Sequence, residues 1–426
     1  MSTDLRIKMY NVGFGDCFLI ILPTNKTILV DAGFHSQGKG TFSGNDLVEQ
    51  IIEDLREISD PPRIDVVVAT HRHQDHIYAF NSEHWSEVEV GEVWLPWVED
   101  RSNAKAMSLW KRQRRFAQQL AAAIPTFNLN EDDRQSVEFL LWNAGVDPDS
   151  LSGLTAAGGW SNAAALDCLH NGFARRDKAQ PRFLPASNVF PETFETPALP
   201  GVTIHVLGPP RDPDLLEDLN PEADGETYRA LALRVARAQE AAGAPILAGP
   251  FAEAWEVPET ETGFQLESEE VQRMVDLAQG ADAVFAAEKL DGMINSTSLV
   301  VIIEIQKARL LFAGDAEWGT WKHILENDEA CALLRGATFF KVGHHGSHNA
   351  TSKTLVEKIL PRGIPAMIST QEGPGNYRNR IPLSELLQAL QERNIHFVRS
   401  DKATKPLPSG FQSEPQGNWV ELTLEC

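Results

Sequence analysis

The sequence has few cysteines, no long apolar run and a shortage of positive charge, and each lack excludes a class of protein. Its four cysteines, Cys17, Cys168, Cys331 and Cys426, lie far apart in 426 residues with no CxxC pair. They build neither a disulfide framework nor a thiolate zinc site, so reduced thiols are expected. No stretch reaches the roughly 20 apolar residues that cross a bilayer, and the opening MSTDLRIKMY holds no apolar segment of signal-peptide length. A cytoplasmic protein without membrane association is the expectation. The formal net charge of −22 repels polyanions at long range, which argues against non-specific binding of duplex nucleic acid over a broad surface. Phosphate chemistry stays open, because cations held in a pocket reverse the local field.

What is present is ample apolar material, 42% of residues, enough for one large core or two modest ones. The first hundred residues alternate strand-like runs with Gly and Asp turns: LRIKMYNV, CFLIIL and TILVDAG, then a helical NDLVEQIIEDLREI, then IDVVVATH. Val66, Val67 and Val68 form an unbroken β-branched run, the pattern of a strand covered on both faces. Residues 99–200 degrade into short helical pieces, Gly-rich turns such as AAGGW and Pro-punctuated loops, and read as an insertion. Its helix near Trp110 to Leu120 carries Lys111, Arg112, Arg114 and Arg115, a basic cluster that reads as a solvated face or as an anion contact. Strand character returns in 201–426 with VTIHVLGPP, gives way to a helical and acidic excursion at about 211–280, then resumes in STSLVVIIEI, ARLLFAGD and TFFKVGHHGS before a helix from Ser384 to Arg393.

The chemistry concentrates in THRHQDH, residues 70–76. His71 and His73, two apart on an extended turn, point the same way and can grip one ion; Asp75 and His76, at the following helix start, can grip a second beside it. Two distant segments add to this. Asp315 follows the apolar strand of LLFAGD, where its carboxylate could bridge two ions, and His344 and His345 follow another strand in FFKVGHHGS. A Gly-Asp or a His-His-Gly alone is more often structural; their weight lies in co-occurrence and order.

That order resembles the metallo-β-lactamase superfamily. More narrowly, NVGFGDCFLI, TILVDAG, NSTSLVV, LLFAGD and KVGHHGS resemble the branch holding the hydrolase domain of the competence DNA-uptake channel protein and its stand-alone relatives, over roughly residues 5–98 and 200–400. The resemblance implies an α/β fold, a four-layer αββα sandwich whose halves are residues 1–98 and 201–426, interrupted by the mostly helical and loop insertion 99–200. It implies two divalent ions, zinc by default with manganese or iron also suited to the donors. His71 and His73 would bind the first, Asp75 and His76 the second, Asp315 would bridge, and His344 would complete the second position with His345 as the alternative. Asp16 and Asp31 would support the ligands from behind, and Asn295 and Ser298 would contact substrate or orient their loop.

Attack by a metal-bound hydroxide follows, with Asp75 orienting it or accepting its proton. A phosphodiester in single-stranded nucleic acid or a nucleotide is the expected anionic substrate. An ester, thioester, lactone or amide is the alternative for the same fold, and a metal-poor scaffold or partner-binding module the third. The sequence departs from the family pattern where relatives supply a third first-site histidine: His205 lies inside a strand, and His170 reaches the site only if the insertion folds over it. Tyr78 and Ala79 stand where relatives carry two glycines. In GNYRNRIP, Asn379 and Arg380 replace a Gly-His-Pro, leaving Arg378 or Arg380 to bind an anion.

Overall fold

The computed structural model describes residues 4–425 apart from 43, 125–128, 130, 147–161, 174–180, 220–224, 227–280, 348–349, 374–380 and 404–405. The expected helices and acidic loop at about 221–279, and Asn379, Arg378 and Arg380, lie outside the described residues.

Fifteen described strands form two sheets. The first has β1 (Asp4–Tyr10), β2 (Cys17–Ile21), β3 (Thr27–Ala32), β4 (Arg63–Val68), β5 (Glu89–Pro96) and β6 (Arg182–Leu184), closed at its other edge by β14 (Phe411–Ser413) and β15 (Trp419–Glu425), in the order β14-β15-β1-β2-β3-β4-β5-β6. The second comprises β7 (Glu192–Glu195), β8 (Val202–Gly208), β9 (Val300–Ile305), β10 (Ala308–Phe312), β11 (Phe339–Lys341), β12 (Pro365–Ile368) and β13 (His396–Arg399), ordered β13-β12-β11-β10-β9-β8-β7. Strands β3 to β6 pair in parallel, as do β10 to β13, so several strands end at the same edge of each sheet.

The helices are α1 (Gly44–Arg56), α2 (Gln74–Ile77), α3 (Ala104–Ala123), α4 (Glu131–Asn143), α5 (Ala163–Asp167), α6 (Pro213–Glu217), α7 (Ala281–Asn295), α8 (Trp318–Leu325), α9 (Asp328–Arg335) and α10 (Ser384–Glu392). Alternation within each strand sorts side chains into layers. Val66 and Val68 join Ile7, Phe18, Ile204, Ile303 and Phe312 in a core between the sheets, while Val67 faces outward onto Leu47, Ile51 and Leu55 of α1. On the far side Ile302, Leu311 and Phe340 pack on Trp321, Leu334 and Leu386 of α8, α9 and α10. The layering is αββα, as the family resemblance implied, and the valine run of β4 is covered on both faces for that reason.

The segment 99–200 does more than decorate. It supplies the edge strands β6 and β7, one to each sheet, and helices α3 and α4, which share an apolar cluster with α7 through Leu120, Val137, Leu141, Leu290 and Ile294. Strands of three and four residues between prolines carry too few alternations to show in the sequence. Among the described residues no helix is long and apolar enough to cross a membrane.

Candidate metal centre

The site lies where β3, β4, β10 and β11 end. After Val68 the chain leaves the sheet through Ala69 and Thr70, and His73 caps α2 in an extended conformation. Gly33, after β3, lets this turn close: a Cβ there would meet the His76 backbone nitrogen at 2.3 Å. Three residues around the cluster, Asp31, His344 and His345, adopt positive φ of 56°, 44° and 53°, a conformation that costs a non-glycine residue about 1 kcal/mol or more and that surrounding contacts must enforce.

Those contacts also set the histidine tautomers. Thr70 donates its backbone N–H and its hydroxyl to Asp31, each at 2.7 Å, so the hydroxyl oxygen is left to accept from His71 Nδ1 at 3.1 Å. Asp31 accepts from His76 Nδ1 at 2.8 Å, and the Ser369 carbonyl accepts from His345 Nδ1 at 2.9 Å. Each ring thus has one nitrogen anchored outward and Nε2 turned inward, the arrangement that orients metal-binding imidazoles. Inside, His71 Nε2 lies 3.0 Å from His73 Nδ1, His76 Nε2 lies 3.2 Å from Asp315 Oδ2, and His345 Nε2 lies 2.9 Å from Asp75 Oδ2. Donor atoms of His71, His76 and Asp315 fall within 4.8 Å of one another, as do those of Asp75, His76 and His345, and those of Asp16, Asp31 and His76.

Burial makes the electrostatics severe. His71, His73, Asp75, His76 and Asp315 are each at most 1% exposed. Burial, with His76 and His73 beside it, holds His71 well below the usual histidine range, and burial lowers His73 to about 3, so both are neutral with a lone pair to give. For His76 the desolvation cost is outweighed by Asp315, Asp75, Asp31 and Asp16, which raise it well above that range. Burial pushes Asp75 and Asp315 up, but His76, with His345 at Asp75 and with His344 and Lys341 at Asp315, holds both carboxyls below their ordinary value. Lys341 forms a buried ion pair with Asp16 and lies 3.6 Å from Asp315 Oδ1. The donor set fits divalent metal. Four imidazoles and the carboxylates converge in one buried place, and Asp75 Oδ1 is buried there without a hydrogen-bond partner among the described residues.

The expected residues divide as follows. His71, His73, Asp75, His76 and Asp315 come together. Of the two histidines after β11, His345 faces Asp75 at the centre, whereas His344 is at the rim, its Nε2 3.9 Å from Asp315 Oδ2 and 3.5 Å from Asn295 Nδ2. Asp31 supports the ligands, and Ser298 accepts from the Asp315 N–H at 3.1 Å. His205 is engaged elsewhere, by Thr193 and Glu304, and His170 packs against Phe183; neither stands in the cluster. Tyr78 packs on Phe34 and Trp142.

Sequence reasoning missed Lys341, Asp291 and the polar contacts of segment 99–200. Glu99 and Gln113 hold the Arg72 guanidinium, Asn162 donates to the Arg72 carbonyl, and Asn143 accepts from the Asp75 N–H. Lys341 inside an apolar strand was a visible signal, since a buried lysine needs a carboxylate partner.

An αββα sandwich with a buried histidine and carboxylate cluster at the strand ends defines a class of layered metal-binding α/β proteins. Residues 10–144 match the family model described as Metallo-beta-lactamase superfamily, and that span includes His71, His73, Asp75 and His76. None of the curated proteins compared matches the chain.

Proposed function

We propose that the protein is a hydrolase of phosphodiesters, in single-stranded nucleic acid or a nucleotide, working through two divalent ions. The observation that carries the metal-dependent part is the tautomer pattern: His71, His76 and His345 are each anchored on Nδ1 and present Nε2 to a cluster of carboxylates. In this reading His71 and His73 would hold a first ion, Asp75, His76 and His345 a second, and Asp315 would serve both, with His344 at the rim. Bound there, the ions would activate water near neutral pH and offset charge on a phosphoryl oxygen. Asp75 Oδ1, buried without a hydrogen-bond partner among the described residues, would orient that water and take its proton. Asp31 and Thr70 keep His76 and His71 from turning, and Lys341 pairs with Asp16 and stabilises Asp315 as an anion. The phosphodiester assignment is supported by the likeness of NVGFGDCFLI, NSTSLVV and KVGHHGS to the competence-protein branch, and by the basic residues of α3, among them exposed Lys111 and Arg115.

The test is hydrolysis by metal-loaded protein of bis(p-nitrophenyl) phosphate, single-stranded DNA, RNA and cyclic nucleotides beside chromogenic esters and thioesters. Turnover of phosphodiesters that His71→Ala abolishes supports the proposal. Turnover confined to the acyl substrates overturns the phosphodiester assignment and keeps the hydrolase; no stoichiometric metal and no turnover leave a scaffold.

A further inference from the structure

Asp291 lies on α7, far in sequence from every ligand-type motif, yet its carboxylate enters the site. It is 7% exposed. Its Oδ2 accepts from Asn295 Nδ2 at 3.0 Å, and its side chain also hydrogen-bonds Asn143 of the insertion. Its Oδ1 faces His73 Nε2 at 3.5 Å, and both atoms are buried without a hydrogen-bond partner among the described residues.

The other rings supply the rule for reading this. At His71, His76 and His345 the nitrogen that faces away from the cluster has an acceptor: the Thr70 hydroxyl, Asp31 and the Ser369 carbonyl. His73 is turned the other way, with Nδ1 inward beside His71 Nε2 and Nε2 outward. Asp291 Oδ1 stands at that outward nitrogen. Burial and the nearby charges of Asp75 and Asp315 oppose ionisation of Asp291, so a donor such as the N–H on that outward nitrogen is what its charged form needs. Moving 3.5 Å to hydrogen-bond distance needs a shift of only about half an ångström.

We propose that Asp291 is a positioning residue of the first metal position: it accepts the Nε2–H of His73 and thereby commits Nδ1, with Nε2 of His71, to the ion. This rests on the metal-centre reading above. It also explains how a first position without a third histidine holds its ion, since a carboxylate on the far nitrogen fixes the ring and raises its basicity. Asn143 ties the arrangement to the insertion, because the same side chain accepts from the Asp75 N–H at 3.2 Å. One insertion residue therefore braces the loop of the second ion and the carboxylate behind the first.

The experiment titrates chelator-stripped full chain with Zn²⁺ against a competing fluorescent chelator, for wild type, Asp291→Ala, Asp291→Asn and His71→Ala, with melting curves of each metal-free protein. Two zinc equivalents in wild type are expected. Asp291→Ala weakens one of them by about 10–100-fold, leaves the other within a few-fold, and leaves the metal-free melting temperature at or above that of wild type. Asp291→Asn, which keeps an acceptor oxygen, recovers part of the affinity. The inference is overturned if Asp291→Ala binds both ions within twofold of wild type, or if its weaker binding is accompanied by a lower metal-free melting temperature, the mark of a structural role. Wild type binding no zinc instead overturns the metal-centre reading itself, a result separable from either.

Discussion

Asp31 takes three hydrogen bonds, from the Thr70 N–H, the Thr70 hydroxyl and His76 Nδ1, while its own backbone sits at a φ of 56°. Two elements and one ligand depend on that carboxylate, which burial pushes upward in pKa and His76 pulls back down. Asp31→Ala should therefore weaken metal binding by about 10–100-fold, read by chelator competition; unchanged affinity would show that His76 is oriented by packing alone. The two histidines after β11 make a sharper comparison. His345 is fully buried between the Ser369 carbonyl and Asp75, whereas the His344 side chain is 12% exposed and touches the cluster at 3.9 Å. His345→Ala should lose about one metal equivalent by elemental analysis, and His344→Ala should keep both while turnover falls. The opposite pattern would return the ligand role to His344, where the family resemblance placed it.

At the scale of elements, legibility followed locality. The run from β4 through Thr70 to α2 was readable because strand, turn, ligands and helix start are contiguous, so side-chain direction follows from backbone periodicity alone. Segment 99–200 was not, since Gln113, Asn143 and Asn162 act through contacts with residues 41 to 180 positions away and form no spacing pattern. Helix α4 illustrates this at His35. The ring stacks on Phe139 at 3.7 Å, donates from Nε2 to the Phe139 carbonyl at 3.0 Å and accepts the Gln37 N–H at Nδ1, so it is neutral in the folded protein. Burial lowers it to about 4. Between about 6.5 and about 4 the unfolded chain therefore binds a proton that the folded one refuses, and stability falls as pH falls through that window. A shift of this size corresponds to about 3 kcal/mol. Urea unfolding of the chelator-treated protein at pH 7 and pH 4 should show that much more loss in wild type than in His35→Phe; parallel losses would sink the idea that α4 is docked through a neutral imidazole.

At the scale of the whole molecule the site is a seam. His71 to His76 follow β4 of the first sheet, and Asp315, His344 and His345 follow β10 and β11 of the second. The apolar strand runs showed a layered α/β pattern and the family resemblance implied the sandwich, but the pairing of β15 with β1, which brings the last described strand beside the first, depends on contacts more than 400 residues apart that no local pattern encodes. Joining the halves at this seam has an electrostatic consequence. Asp16, Asp31, Asp75, Asp291 and Asp315 are buried in or beside the cluster, where Lys341 pairs with Asp16 and approaches Asp315, so five carboxylates in ionised form would leave four negative charges after that lysine is counted. The metal-free protein answers with protons: the charges around His76 and His345 raise both, and burial raises Asp291. Two divalent ions carry the same four charges and would replace those protons, drawing ligands of both sheets to common centres. Metal should then stabilise the entire sandwich. At a free concentration a thousandfold above Kd, one ion contributes about 4 kcal/mol to the folded state. Chelation should accordingly lower the melting temperature by several degrees, with protons taken up as metal leaves, both measurable by calorimetry in buffers of different ionisation enthalpy. A melting temperature indifferent to chelator, with no proton exchange, would mean that the seam is held by its carboxylates and histidines alone.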